Sequence, residues 1–339
     1  MTDDQLKPLV RPRPLDPYSS RAPHLVAVVD TNVLLSSIDN DCRHEAEGWR
    51  SRLLLMSDRG DVVLYAADHV LEEVYRRLPR IAEFSPVPLD RLRARFEEEY
   101  LPVIQFVTVS DVDAPDPQVL AITDPDDVPT GVLAKLIGPC VVFSDDRHLK
   151  NPGFAPKRWI DSAGAAVEVV DASWDQLLTM NTAALPFRGM VGLISYTGRK
   201  TGISPWVLGA VVLGVGVLLL QRPVRRRSVL RAAETVFEMI VNDLIVAMEQ
   251  EQQGAERLRK VILPPPLEPT LRQRVAIVLA RQNEPLLAAD VHDLIREWFP
   301  DALDTTIKEV RTVLEDGTEF VRVQRYRWQL GRAVAPRAS

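Results

Sequence analysis

Leu25-Val26-Ala27-Val28-Val29 is an unbroken apolar run, and Asp30-Thr31-Asn32 follows it at once. A second run, Val141–Phe143, ends the same way in Ser144-Asp145-Asp146-Arg147-His148. Asp124-Pro125-Asp126-Asp127 stands just ahead of one helical stretch, and the adjacent pair Glu72 and Glu73 lies inside another. Residues just past the C-terminal ends of parallel strands face a common crevice. Adjacent helix positions cannot share a face, so only one of Glu72 and Glu73 can join them. Carboxylates gathered this way repel one another and lose hydration unless a cation compensates. Mg2+ or Mn2+ does so through oxygen ligands, often one or two direct carboxylates plus water. Such an ion activates a water, and a second stabilises the leaving oxygen of an in-line phosphodiester displacement. With no His or Cys in the cluster core, zinc is disfavoured.

The elements that must position these acids are read from periodicity. Strands are expected at Leu25–Val29, Val62–Tyr65, Val103–Val109, Val141–Phe143 and Val167–Val170, each apolar on successive residues. That pattern belongs to strands buried on both faces of a parallel sheet. Helical stretches at Val70–Leu78, Leu89–Tyr100 and Gly131–Ile137 lie between them. The alternation predicts an α/β fold over residues 24–175, a parallel sheet in three layers.

Composition sets the limits. The 339 residues are 46% hydrophobic and 26% charged, the balance of a folded protein. Cys42 and Cys140 are the only cysteines and lie far apart, which argues against a disulfide scaffold and suits a reducing compartment. The proline-rich arm 1–23 has no apolar run, so it does not read as a secretory signal, and the first domain is expected in the cytoplasm. Residues 24–175 carry 27 acidic and 15 basic side chains, a balance of −12 in a chain of net −6. On bulk charge alone such a domain is a poor phosphate binder. Convergence of its carboxylates on divalent cations reverses that argument.

Three further regions follow. Residues 201–221 hold no charge and are flanked by Arg199, Lys200 and Arg222, as in a transmembrane or membrane-associated segment; a buried helix or hairpin is the alternative. The arginines after it favour a cytoplasmic C-terminal side, which conflicts with a cytoplasmic domain ahead of it. An inverted arrangement, an interfacial insertion and burial within an oligomer all remain open. Residues 224–262 read as a long amphipathic helix, a stalk or pairing helix striped by Val236, Ile240, Leu244 and Met248 and ended by Pro264, Pro265 and Pro266. Residues 270–332 read as a winged-helix-like module, three helices and then a hairpin. Thr270 and Gln273 form a capping box at its start. The third helix, with Ile307, Val310 and Leu314 on one face, carries Lys308 and Arg311; the hairpin carries Arg322, Arg325 and Arg327. From Thr270 to Ser339 the 11 basic residues meet 10 acidic ones, so DNA and protein partners are both open for this module.

Four segments also resemble a family. Val-Val-Asp-Thr-Asn-Val-Leu-Leu (28–35), Val-Leu-Glu-Glu-Val (70–74), Asp-Pro-Asp-Asp-Val-Pro (124–129) and Ser-Asp-Asp-Arg-His-Leu (144–149) are similar, in order and spacing, to successive motifs of the PIN domain family. The resemblance covers residues 24–175. It implies a Rossmann-like sheet and an endoribonuclease acting on RNA with Mg2+ or Mn2+. It further implies ligand or acid roles for Asp30, Glu73, Asp127 and Asp146, with Asp30, Asp127 and Asp146 on the metal. Asn32 and Ser144 would orient them by hydrogen bonds, with Asp124 and Asp145 in support. The family's last motif has Thr or Ser, any residue, then Asp; here Asp145 is acidic as well, so Asp146 is assigned by register. Arg76, Arg77 and Arg147 are candidate RNA contacts. A homo-oligomer through the PIN-like domain or the long helix is open. The rival readings are an inactive RNA-binding or scaffold protein and a DNA nuclease directed by the module.

Overall fold

A computed structural model describes residues 25–58, 62–109, 116–169, 245–246, 249–250, 252–254, 256–282 and 284–332. The arm 1–23, the apolar segment 201–221 and most of the expected long helix lie outside them. Among the described residues, no helix is long and apolar enough to cross a membrane. The chain divides into one compact unit, residues up to Val170 and from Gly254 onward, and a second, Asp171–Gln253. In the second, residues 245–246, 249–250 and 252–253 are helical.

The first unit holds β1 (Leu25–Val29), β2 (Val62–Ala67), β3 (Ile104–Val107) and β4 (Val141–Phe143), all parallel, in the order β3-β2-β1-β4. Four buried parallel strands are what the successive apolar runs demand. The helices joining them are α1 (Thr31–Arg43), α2 (Arg52–Asp58), α3 (Asp68–Phe84), α4 (Leu89–Arg95), α5 (Pro117–Leu120), α6 (Val128–Ile137) and α7 (Arg147–Lys150). The chain steps outward from β1 to β3, then returns to the far side of β1 for β4. The C-terminal ends of β1 and β4 therefore flank the point where strand order reverses, the crevice of such a sheet. There Val29 pairs with Phe143, and the Asp30 amide donates to the Phe143 carbonyl at 3.0 Å.

One expected strand is not a strand. Val167–Val169 lie in a helix spanning 159–169, with Trp159, Ser162, Ala163, Ala165 and Ala166 buried. Three alanines in this stretch favour helix, and the valines are its last turn. Val169 and Ala165 pack closely on Gly254, where even a methyl group would be crowded.

The C-terminal part comprises α8 (Leu271–Leu279), β5 (Leu286–Leu287), α9 (Ala288–Trp298), α10 (Ile307–Asp316), β6 (Phe320–Gln324) and β7 (Arg327–Leu330), with an antiparallel sheet ordered β5-β7-β6. The Thr270–Gln273 capping box opens α8, and a second, Thr306 with Glu309, opens α10. Val310 and Leu314 are buried, whereas Ile307 in the first turn is exposed. Arg272 clasps the buried Glu319 with two donors, tying α8 to the start of the hairpin.

This part is bound to the parallel sheet rather than tethered beside it. Val26, Val28, Tyr65, Ala67 and Val142 share one apolar core with Val132, Leu133 and Ile137 of α6 and with Val275, Val278, Val310 and Trp328. Both edges of the sheet are closed from the same C-terminal stretch. Leu263 exchanges two backbone hydrogen bonds with Cys140 beside β4, and Arg332 exchanges two with Phe106 on β3. Open edges invite pairing with other chains, so this closure also protects the sheet. Arg281, 1% exposed, donates to the carbonyls of Ile137 (3.1 Å), Ile277 (2.9 Å) and Pro139 (2.5 Å), satisfying acceptors at the end of α6. Burial pushes its pKa down to about 10.

Gly331 makes the β3 contact sterically feasible. Its φ is +67°, and an added Cβ would stand 2.7 Å from the Phe106 carbonyl oxygen. Gly48 has a similar φ of +71° with nothing nearby. Gly48→Ala should therefore cost only the left-handed strain, about 1–2 kcal/mol, and Gly331→Ala distinctly more. Urea unfolding of the two variants checks this; equal losses would mean that the Phe106–Arg332 contact does not hold the unit together.

Candidate active site

Asp30 leads the site. It follows β1 directly and is 3% exposed, since the strand delivers it into the crevice while α1 begins beneath it. One carboxylate oxygen accepts from the Thr31 amide at 2.7 Å, at the start of α1. The other accepts from the hydroxyl of fully buried Ser144 at 2.7 Å, across the β1–β4 switch. Ser144 in turn accepts from the Asp146 amide at 2.9 Å, and the Asp146 carboxylate caps α7 through the His148 amide at 2.8 Å. One serine thus fixes both strand ends relative to each other.

Glu73 arrives from α3. Glu72 beside it is exposed, while Glu73 accepts from the Thr31 hydroxyl at 2.5 Å and from Arg77 at 3.1 Å, with Arg76 3.8 Å away. The link between Asp30 and Glu73 runs through Thr31; Asn32 makes no hydrogen bond in this cluster. Asp124 caps the short turn 125–127 by accepting from the Asp126 amide at 3.0 Å. That turn presents Asp127, whose Oδ2 is buried without a hydrogen-bond partner. Asp145 is turned elsewhere, to Lys150 at 3.0 Å and the Trp159 indole at 2.9 Å.

Electrostatics bind the four acids into one group. Burial first, then Glu73 and Asp146, push the Asp30 carboxyl up to about 6 against the pull of its two hydrogen bonds. Burial, followed by Asp30, Asp146, Asp124 and Glu73, pushes Asp127 up to about 7. These acids come from four separate stretches, yet Asp30 and Asp127 both sit in the field of the others. Among the described residues, no three His, Cys, Asp or Glu side chains already stand as a direct ligand set for an ion. Most of the oxygens are engaged with backbone or hydroxyl donors, and the Asp127 oxygen is not. A hard divalent cation that keeps much of its own water and takes one or two carboxylates fits this donor set. It would also offset the repulsion that raises both acids.

Two groups escaped the reading of the sequence. Thr31 was overlooked beside the more conspicuous Asn32. His69 lies four residues ahead of Glu73 on α3, hence on the same helical face. Its Nδ1 is buried without a partner, and burial pushes its pKa down against the opposing pull of Glu73, Asp68 and Asp126. That spacing was the available signal. His148 reaches the Thr123 hydroxyl, and the exposed Arg147 lies against it at 3.3 Å. Lys308 and Arg311 are exposed on α10, at a distance in sequence from every acid named here. No family model, curated protein or solved structure matches the chain.

Both carboxyl groups are raised above their usual 3.8. Their contribution to stability is thus complete below that value and is lost as pH rises through about 6 and about 7. In EDTA the thermal midpoint should fall between about pH 4 and about pH 7, and Asp127→Asn should flatten the fall. Adding Mg2+ or Mn2+ should restore the midpoint at the upper end and do little at the lower, because the ion competes with protons. A scanning-fluorimetry grid of pH against metal checks both; a metal response independent of pH would separate the ion from these acids.

Proposed function

We propose that the chain is a metal-dependent nuclease of the PIN type, an endoribonuclease using Mg2+ or Mn2+, with Asp30, Glu73, Asp127 and Asp146 as its working acids. The observation that carries the reading is the buried, unpartnered oxygen of Asp127 within reach of the field of four other carboxylates, Asp30, Asp146, Asp124 and Glu73. A protein gains no stability from such an arrangement. Catalytic centres that handle cations are where it recurs.

Asp127, with its free oxygen, would hold the divalent ion directly and Asp30 and Asp146 would hold it mainly through its waters; the ion would supply water activation and charge neutralisation for the phosphodiester. The chain's own residues do the rest. Ser144 and Thr31 hold Asp30 and Glu73 in place through hydrogen bonds, which keeps their oxygens from turning away. Glu73, with Arg77 on its other oxygen, is placed to order a water or take a proton. Arg76 and Arg147 are exposed and Arg77 is half-buried against Glu73; their cationic heads suit the flanking phosphates of an RNA strand. The strand order and the site at the β1–β4 switch support a Rossmann-like description of the sheet. Three helices with a β5-β7-β6 sheet support a winged-helix-like description of the C-terminal part, and its exposed Lys308 and Arg311 leave DNA as its rival target. Membrane association through residues 201–221 remains part of the proposal.

Purified protein should cleave single-stranded RNA with Mg2+ or Mn2+ and lose that activity in EDTA. Asp30→Asn, Asp127→Asn and Asp146→Ala should each lower kcat/KM by at least about 100-fold, the scale of losing one charge-stabilising group. Thr31→Val should lose less, about tenfold, and mainly in kcat, because Glu73 stays but loses its tether. Cleavage of DNA in preference to RNA would favour the rival nuclease; RNA binding with no turnover in any metal would leave a scaffold.

A further inference from the structure

Further along α1 from Asp30 lies a cleft of about 470 Å³ between that helix, the loop after it and the start of the 159–169 helix. Two elements join it to the acids. α1 starts at Asp30 and carries Ser36 and Asn40, about 9 and 15 Å further along at 1.5 Å per residue. They are four residues apart, on one face, and both are exposed. On the other wall, the Trp159 indole donates to Asp145, the neighbour of Asp146.

The lining has an unusual composition for this acidic stretch of chain. Trp49 is 44% exposed on the cleft, its ring tilted against that of His44 with 6.1 Å between centroids. Arg50 and Arg52 add two positive charges. Arg50 pairs with Asp58 at 3.0 Å and Glu99 at 3.7 Å, and Arg52 donates to the Ile160 carbonyl. A partly exposed pair such as Arg50–Asp58 contributes little and can be exchanged for an incoming anion. The Ser36 hydroxyl donates to the Val33 carbonyl at 3.0 Å, which leaves its lone pairs as acceptors. The Asn40 amide offers donors and an acceptor beside it.

A ring that presents a π-face, a polar edge and guanidinium cations together match the parts of a nucleotide: base, base edge and phosphate. We propose that this cleft is a nucleotide subsite for single-stranded RNA. In it a base stacks on Trp49, its edge meets Ser36 and Asn40, and its phosphate meets Arg50 and Arg52. The assignment rests on the phosphodiesterase reading of the acids, since it gives the strand a path along α1 into the crevice. A protein side chain is the competing occupant; two guanidinium groups side by side on the lining, Arg50 and Arg52, favour the anion.

The test uses the full chain in EDTA, where the acids repel phosphate. Adenosine and uridine 5′-monophosphate are titrated by tryptophan fluorescence and by calorimetry. Saturable binding is expected, weakened about tenfold in Trp49→Ala and retained in Trp49→Phe. In the cleavage assay Trp49→Ala should raise KM for RNA and leave kcat in place. Absence of saturable binding by either nucleotide, or equal affinity in Trp49→Ala, overturns the subsite. So does binding of an indole-bearing peptide with none of the nucleotides. Nucleotide binding without RNA cleavage would instead keep the subsite and remove the nuclease reading, so the two failures are distinct.

Discussion

A carboxylate that is nearly sealed from water must be held by donors, and Asp30 is held by two: the backbone of the residue after it and the hydroxyl of Ser144. Everything else about the crevice follows from that pair of bonds. The first makes Asp30 the start of α1, so the direction of the acid and of the helix are set together. The second crosses from β1 to β4, strands separated by more than a hundred residues, at the one place where the sheet reverses its order. Asp146 and Glu73 then join through Ser144 and Thr31. The result is a cluster whose geometry is over-determined while its charge is not balanced.

That imbalance is what distinguishes a site from a capped helix. Asp124, Asp145 and Asp146 each satisfy ordinary structural demands, and any one of them alone would need no functional account. Asp127 has no such excuse. Its buried oxygen is unpaired and its proton affinity is raised by the company it keeps. Preorganised, unsatisfied charge is the usual mark of a place waiting for a cation or a reacting group.

Much of this was legible in the amino-acid order, and the parts that were not share a cause. The four parallel strands announced themselves as apolar runs on successive residues, and acids placed directly after two of them pointed to the crevice. Ser144 was legible because it sits two positions before Asp146, as in the motif that the stretch resembles. Val167–Val169 misled because a short valine cluster is equally at home in the last turn of an alanine-rich helix. His69 was hidden because helical spacing from Glu73 carries meaning only once Glu73 is known to face inward. The docking of residues 256–332 onto the sheet was invisible for a deeper reason. Arg281, Leu263 and Gly331 act through carbonyls of Ile137, Cys140 and Phe106, and no local pattern marks a residue whose partner lies more than a hundred positions away.

The edge closure has a kinetic meaning as well. A ribosome delivers β1 to β4 long before it delivers Leu263 and Arg332, so a nascent chain holds an unguarded parallel sheet throughout the synthesis of the intervening residues. Long-range pairings of this sort form slowly, and bare strand edges are where emerging chains stick to one another. Protection of both edges is thereby delayed until residues 263 and 332 have emerged: the strap that shields the sheet is made well after the sheet itself.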